Sequence, residues 1–292
     1  MREGAGEALG DFVFVVAIPL LLFRTLSRAS FDGLDPVPLW TAYFAALGAT
    51  WIVSTVVIRR VFGRDERAGV VAGLAGSFSN TVLVGIPLVQ SIYGEAGFAV
   101  LSLILTIHLP IIMAVTIILF EVADAHANPR ATKSSPRMLA VGFLRGMARN
   151  PIVIGILAGG AWRFLNLEMP ALPSNIIDRI ADTAPTLALI SLGMSLHRFG
   201  IARNVPQALV VTLLKSILMP ASATVLALLL GLPTLTAQVV IVTAAMPTGV
   251  NPYLIASRFG TGEALASNAM VIATATAPLT LAFWIWVAAT VT

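Results

Sequence analysis

The sequence has no cysteine, only three histidines and three tyrosines in 292 residues, and just 11% of it is charged. Without cysteine there is no disulfide and no thiolate metal site. His108, His126 and His197 lie far apart in the sequence. The His-Glu-x-x-His, Gly-x-Ser-x-Gly and P-loop patterns are absent, so nothing points to an enzyme, a metal or a cofactor. No basic run is interleaved with aromatics, which argues against a nucleic-acid surface. The shortage of charge excludes most. A soluble domain carries about 25% charged residues, and this chain cannot cover a water-exposed surface of its size.

What the chain has instead is apolar length. It is 58% hydrophobic, and a membrane-spanning helix needs about 20 such residues. Nine stretches qualify, near 8–26, 38–61, 67–92, 96–122, 149–166, 173–197, 205–231, 235–259 and 262–290. The expected fold class is an all-α, multi-pass membrane protein. The first stretch is expected to be a retained span and not a signal peptide. Glu3, Glu7 and Asp11 precede it, and Arg24 and Arg28 follow it without a small-residue cleavage site. Between residues 123 and 148 the chain turns polar, with Pro129, Pro136, Arg130, Lys133, Arg137 and Arg145. A surface loop is expected there.

Basic residues set the orientation of such a chain. Counting alternate connections, one side holds Arg2, Arg59, Arg60, Arg64, Arg67, Arg130, Lys133, Arg137, Arg145, Arg149, Arg198, Arg203 and Arg258. The other side holds Arg24, Arg28 and Arg163, while Arg179 and Lys215 fall inside spans. The first side is therefore expected to be cytoplasmic, with the N-terminus inside, the C-terminus outside and the protein in the cell's inner (plasma) membrane.

Two spans are interrupted at their centres. "SNTVLVGIPLVQSIYG" (Ser79–Gly94) and "AAMPTGVNPYLIASRFG" (Ala244–Gly260) both carry Asn, Gly and Pro within apolar sequence, and each is followed closely by Glu-Ala. "DFVFVVAIPLLLFRTL" (Asp11–Leu26) and "ADTAPTLALISLGMSL" (Ala181–Leu196) form a second matching pair. Four other spans separate the two interrupted ones. The copies then run in opposite directions, the mark of an inverted-repeat transporter. The expected organisation is a first repeat over 1–122 with its broken helix at 67–92, a cytoplasmic loop over 123–148, and a second repeat over 149–292 with its broken helix at 235–259.

These stretches, with "NPIVIGILAG" (Asn150–Gly159) and "APTLALISLGMSL" (Ala184–Leu196), resemble the auxin efflux carrier family. That family includes plant auxin exporters and bacterial dicarboxylate carriers, and the likeness runs along nearly the whole chain. The family has ten spans arranged as five plus five. "DFVFVVAIPLLLF" resembles its second span, so this chain is expected to hold nine of the ten. The resemblance implies a substrate site where the two broken spans cross, beside paired prolines.

An interrupted helix in hydrocarbon leaves backbone groups that cost several kcal/mol each if unsatisfied. Breaks survive where they line a cavity, and there the freed N–H groups can hold anions. The expected binding residues are Asn80, Thr81, Gly85, Ile86 and Pro87 in the first break and Thr248, Val250, Asn251 and Pro252 in the second. Pro19, Pro110, Pro185, Pro220 and Pro278 read as ordinary kinks. Lys215, Asp182 and His108 are the charge or proton candidates, since ionisable groups within spans are costly. Lys215 could serve an anion directly, pair with Asp178 or Asp182, or extend to an interface. Asp182 stands three residues after Arg179 and suits an in-helix pair. Trp284 and Trp286 suit an interfacial belt. The expected function is export of a small organic anion, such as an auxin-like indole acid, malate or malonate, by alternating access at a midplane helix crossover. The alternative is a non-transporting membrane sensor or scaffold that keeps the fold. Expected partners are the substrate, the lipid bilayer and a second copy joined through the scaffold bundle.

Overall fold

A computed structural model describes residues 5–28, 35–127, 136–196 and 205–292. His197 and several of the basic residues counted above (Arg2, Arg130, Lys133, Arg198 and Arg203) lie outside the described residues. In chain order the helices are α1 (Ala5–Phe12), α2 (Ile18–Arg28), α3 (Pro36–Arg60), α4 (Glu66–Ser77), α5 (Ile86–Ala127), α6 (Pro136–Ala148) and α7 (Pro151–Phe164). They continue as α8 (Ala171–Leu196), α9 (Val205–Leu213), α10 (Met219–Leu229), α11 (Thr234–Ala245), α12 (Asn251–Phe259) and α13 (Glu263–Val291). Among the described residues there are helices but no strand, only one isolated backbone bridge between Ser79 and Thr248.

Three wide π turns, at Val13–Ala17, Thr81–Gly85 and Leu214–Leu218, each end two residues before a proline: Pro19, Pro87 and Pro220. In the first and third, Ile18 N–H reaches the Val13 carbonyl and Met219 N–H reaches the Leu214 carbonyl, five residues back. A proline ring clashes with the carbonyl four residues earlier. Widening the turn just before the ring relieves that clash, so the helix continues where the proline would otherwise break it.

Among the described residues five helices are long and apolar enough to cross a membrane: Ala8–Arg28, Pro36–Arg60, Thr81–Ala127, Val205–Leu229 and Glu263–Val291. A bent pair, Arg137–Ala148 with Pro151–Phe164, brings the number to six if it is one span. Local causes separate this from the nine stretches of the sequence. The interrupted stretches are cut into half-helices, with α4 and α11 at 12 residues each and α12 at 9. The expected turn between 92 and 96 is present as a single left-handed residue, Gly94 (φ 61°), inside the 42-residue α5. The expected surface loop over 123–148 is overturned in part. Helix α5 continues to Ala127, and Pro136–Ala148 is helical. Pro136 occupies a first-turn position where its missing N–H costs nothing, and Leu139, Phe143 and Met147 recur at a four-residue interval.

The chain divides into two compact units, each drawing on both halves of the sequence. The first comprises residues 1–34, 82–110 and 136–198. In it, α7 lies against α2 through Gly155 and Gly159. A Cβ at Gly155 would stand 2.5 Å from the Pro19 carbonyl oxygen, and one at Gly159 would stand 2.7 Å from that of Phe23. The four-residue spacing puts both glycines on one face and lets the backbones approach. Phe23 and Trp162 meet edge to face at 6.0 Å beside this seam. Helix α8 joins α2 by charge: Arg24 holds Asp182 at 2.6 Å, and Arg28 holds Asp178 at 2.8 Å and Ser174 at 2.8 Å.

The second unit comprises residues 35–81, 111–135 and 199–292. Helices α4 and α11 form its centre. Every residue of α4 from Ala68 to Ser77 is buried, as are Val239–Ala245 of α11. Small residues make the fit. A Cβ at Gly73 would collide with the Trp51 ring, and one at Gly76 would collide with Ser54. At one end Arg67 donates to Asp124 and to the Phe259 carbonyl, both at 2.7 Å, and lies over the Phe120 ring. Phe120 stacks on Phe259 at 3.9 Å. Trp284, expected at an interface, is instead buried, and its indole N–H donates to the Ser216 carbonyl at 2.8 Å. Helical phase decides this, because Trp286, two positions on, is 62% exposed.

Candidate functional site

The site is built from two interruptions inside the second unit. Helix α4 ends at Ser77, and Phe78 turns to an extended conformation (φ −75°, ψ 111°). Ser79 and Asn80 cross the gap before the π turn begins at Thr81. Helix α11 ends at Ala245, and Met246 is likewise extended (φ −58°, ψ 144°). Pro247, Thr248, Gly249 and Val250 then lead to α12. Pro247 cannot continue a helix, since it has no N–H and restricts the residue before it. The two gaps lie side by side. Ser79 and Thr248 form an antiparallel bridge, and Asn80 N–H donates to the Pro247 carbonyl at 2.8 Å. Gly249 permits the approach, because a Cβ there would stand 3.0 Å from the Phe78 ring.

Each broken helix leaves carbonyls without partners at its C-terminal end. Both ends are met by side chains from elsewhere in the unit. Thr248 Oγ1 donates to the Ala75 carbonyl of α4 at 2.7 Å. Lys215, fully buried in the π turn that follows α9, donates to the Ala244 carbonyl of α11 and to Ser79 Oγ at 3.0 Å. A cation belongs at a helix C-terminus, where the macrodipole is negative. Tyr43 of α3, also fully buried, hydrogen-bonds Ser79. Ser79 thus gathers contacts from α3 and from the π turn holding Lys215. At the N-terminal end of α12 the N-cap residue is Val250, whose side chain makes no cap bond.

The expected residues are distributed as follows. Asn80, Thr81 and Thr248 are buried at the crossing, and Thr81 N–H bonds the Ser79 carbonyl at 2.8 Å. Val250 precedes α12, Asn251 and Pro252 form its first turn, and Pro252 is buried. Gly85, Ile86 and Pro87 differ from expectation. They lie in the first unit, in helix that runs on without interruption from Thr81. The gap itself is at Phe78–Asn80, upstream of the proline, because the π turn absorbs the ring. Asp182 pairs with Arg24 and not with Arg179, and Asp178 pairs with Arg28. Lys215 is committed to the crossing and not to either aspartate. His108 is buried in the first unit. Ser79 and Tyr43 were not singled out from sequence. Ser79 sits directly before Asn80 at the start of the interrupted stretch, which was a usable signal. Tyr43 carried none, since one aromatic in an apolar span resembles any other.

Among the described residues no cluster of His, Asp or Glu could hold a metal ion. What converges at the crossing, among the described residues, is backbone, hydroxyl and amide, with the Lys215 cation turned toward the C-terminus of α11 and Ser79.

Residues 1–285 match the family described as Membrane transport protein, which contains the auxin efflux carriers. The chain belongs to this family. A putative malonate transporter of Rhizobium meliloti (strain 1021) is 27% identical over 280 residues, covering 92% of this chain and 83% of that protein. Auxin efflux carrier component 8 of Arabidopsis thaliana is 24% identical over 322 residues, covering 94% and 88%. A lysosomal cholesterol signaling protein of Mus musculus is 26% identical over 196 residues, covering 65% of this chain and 22% of that longer protein. Membership makes the chain a membrane transporter and not an enzyme.

Proposed function

We propose that this transporter carries a small organic carboxylate, of the malonate, malate or indole-acid kind, by alternating access about the paired helix breaks. The observation that carries the reading is the pairing of Ser79–Asn80 with Pro247–Thr248. Two C-terminal half-helix ends are met by Lys215 and Thr248, while α12 begins at the crossing behind Val250, whose side chain makes no cap bond. A helix N-terminus at such a crossing turns backbone N–H groups and the positive end of its dipole toward it, which suits an anion. Asn80, Thr81, Val250 and Asn251 supply the polar contacts, with Pro252 in the first turn of α12 beside them. The relatives named for malonate and auxin support a carboxylate.

The arrangement is one of nine spans in inverted repeats, in the cell's inner membrane, with the N-terminus of this sequence inside and its C-terminus outside. The unit holding the crossing moves against the other, which serves as scaffold and as the surface for a homodimer. Export fits the membrane potential, which drives an anion outward by about 2.3 kcal/mol per charge per 100 mV. His108 and Asp182 are the groups through which a proton would be coupled.

The test is flux of labelled malonate, malate and indole acetate in proteoliposomes at an imposed potential. At least one moves faster than in empty vesicles, and Asn80→Asp, which adds negative charge at the crossing, abolishes that flux. Movement of none of the three overturns the carboxylate assignment. A non-transporting sensor is the second reading, favoured by the relative named as a signaling protein. Saturable binding of one of these acids without flux would select it.

A further inference from the structure

Helix α6 is not accounted for by transport at the crossing. Its axis bends by 73° from that of α7 across a break of a few residues. The bend has a fixed chemical cause. Asn150 caps α7, its side-chain oxygen accepting from Ile152 N–H at 3.0 Å and Val153 N–H at 3.4 Å, and Pro151 begins the helix. Asn-Pro at a first turn sets the direction of the chain without a flexible hinge.

Helix α7 is apolar, and several of its residues project from the unit: Ile154 is 49% exposed, Leu157 63% and Phe164 88%. This is the surface of a lipid-facing helix. Its 14 residues give about 21 Å at 1.5 Å per residue, against a hydrocarbon core of about 30 Å. A helix so short ends within the headgroup boundary and not in bulk water. A partner set at 73° to it then runs close to the plane of the membrane surface.

The residues of α6 suit that level. Leu139, Phe143 and Met147 form one half-buried stripe. The opposite side exposes Met138 (67%), Val141 (45%) and Leu144 (62%) together with Arg137 and Arg145, and Arg149 follows in the break. Apolar side chains this open would be unfavourable in water, while an arginine at mid-bilayer is strongly disfavoured. Only the interface accommodates both, because guanidinium groups reach the phosphates while the apolar side chains enter the acyl boundary. We infer that α6 is an interfacial helix that docks on an anionic lipid surface through Arg137, Arg145 and Arg149.

The absence of native cysteine allows one nitroxide at a time on the full chain. Leu144→Cys and, as an aqueous reference, Glu168→Cys are labelled and reconstituted in phosphatidylcholine vesicles with and without phosphatidylglycerol. At 144 the label is reached by oxygen in preference to a water-soluble nickel chelate, at a depth near the headgroups. Adding the anionic lipid lowers chelate access further. Each arginine contributes about a fivefold bias toward an anionic surface. The effect of phosphatidylglycerol is lost when Arg137, Arg145 and Arg149 are all changed to Gln on the Leu144→Cys background. Chelate access at 144 equal to that at 168 overturns the docking, as does exclusion of both reagents (a protein-covered helix) or a depth at mid-bilayer (part of a span). A phosphatidylglycerol effect that survives the triple substitution overturns the role of the arginines.

Discussion

Lys215 Nζ donates to Ser79 Oγ at 3.0 Å, joining residues 136 positions apart in a fully buried contact. The same ammonium caps the Ala244 carbonyl, so one side chain ties both helix interruptions together. Lys215→Met removes the charge while keeping much of the volume. It leaves the Ala244 carbonyl without its cap, at a cost on the order of 1–3 kcal/mol for a buried group left unsatisfied, and leaves Ser79 with Tyr43 alone. The expected result is a lower melting temperature in detergent and loss of flux. A Lys215→Met protein that melts and transports like the parent would refute the tie.

Gly155 and Gly160 make a matched pair for testing the α2–α7 seam. A Cβ at Gly155 would meet backbone atoms of Pro19, which cannot rotate aside, whereas a Cβ at Gly160 meets nothing within 4 Å. Gly155→Ala should destabilise the first unit by about 1–3 kcal/mol through overpacking. Gly160→Ala should be neutral or stabilising by up to about 1 kcal/mol through helix propensity. Thermal melts of the two variants side by side check the sign at each position.

The cluster on α2 and α8 predicts an asymmetry. The Arg24 side chain is 11% exposed and that of Asp182 69% exposed, with Asp178 a further 3.8 Å contact of Arg24. Asp182→Asn should cost at most about 1 kcal/mol, as for an exposed ion pair. Arg24→Gln leaves Asp182 unpaired and Asp178 with Arg28 alone, and it also loses the packing of a side chain that is mostly buried, so it should cost more than Asp182→Asn. Equal melting temperatures for the two variants would show that burial of Arg24 has no energetic consequence.

Glu66 titrates below the ordinary carboxylate range, chiefly because His126 donates a hydrogen bond to it and secondarily because Arg59 is close; partial desolvation opposes both. Its partners stand at 2.9 Å and 2.6 Å. A depressed carboxylate contributes stability that is present above its unfolded value, about 4.3, and is lost as pH falls through the folded value. The contribution is small, since the group is solvent-exposed. An infrared carboxyl titration should show the Glu66 component below the usual range, and His126→Ala should move it upward. No movement would mean that the contact is not held in solution.

Where the chain breaks was legible only approximately. Asn, Gly and Pro within apolar sequence marked both interrupted stretches. The second gap falls next to its prolines, with Pro247 inside it and Pro252 in the first turn beyond. The first lies at Phe78–Asn80, while Pro87 sits in continuous helix. Proline perturbs a helix, but whether the helix kinks, widens to a π turn or ends depends on what accepts the displaced carbonyls. That is a matter of neighbours and not of local sequence. Helix α6 was hidden behind prolines and arginines that resemble a loop until its four-residue apolar interval is placed on a helix.

The sequence by itself determined the solvent and the element type. With so little charge the chain must lie in lipid, and in lipid every backbone group must be satisfied, which leaves helices as the answer for apolar stretches of this length. It also marked which stretches are exceptional. Partners at the exceptions were decided by the tertiary structure. Lys215 had several chemically reasonable partners, and Asp182 had Arg179 three residues away. Burial took Lys215 to Ser79 and Ala244, and helix packing took Asp182 to Arg24. The physical reason is distance: charge and hydrogen-bonding capacity can be read along a chain, but their energies depend on which groups, far apart in sequence, end up within about 3 Å.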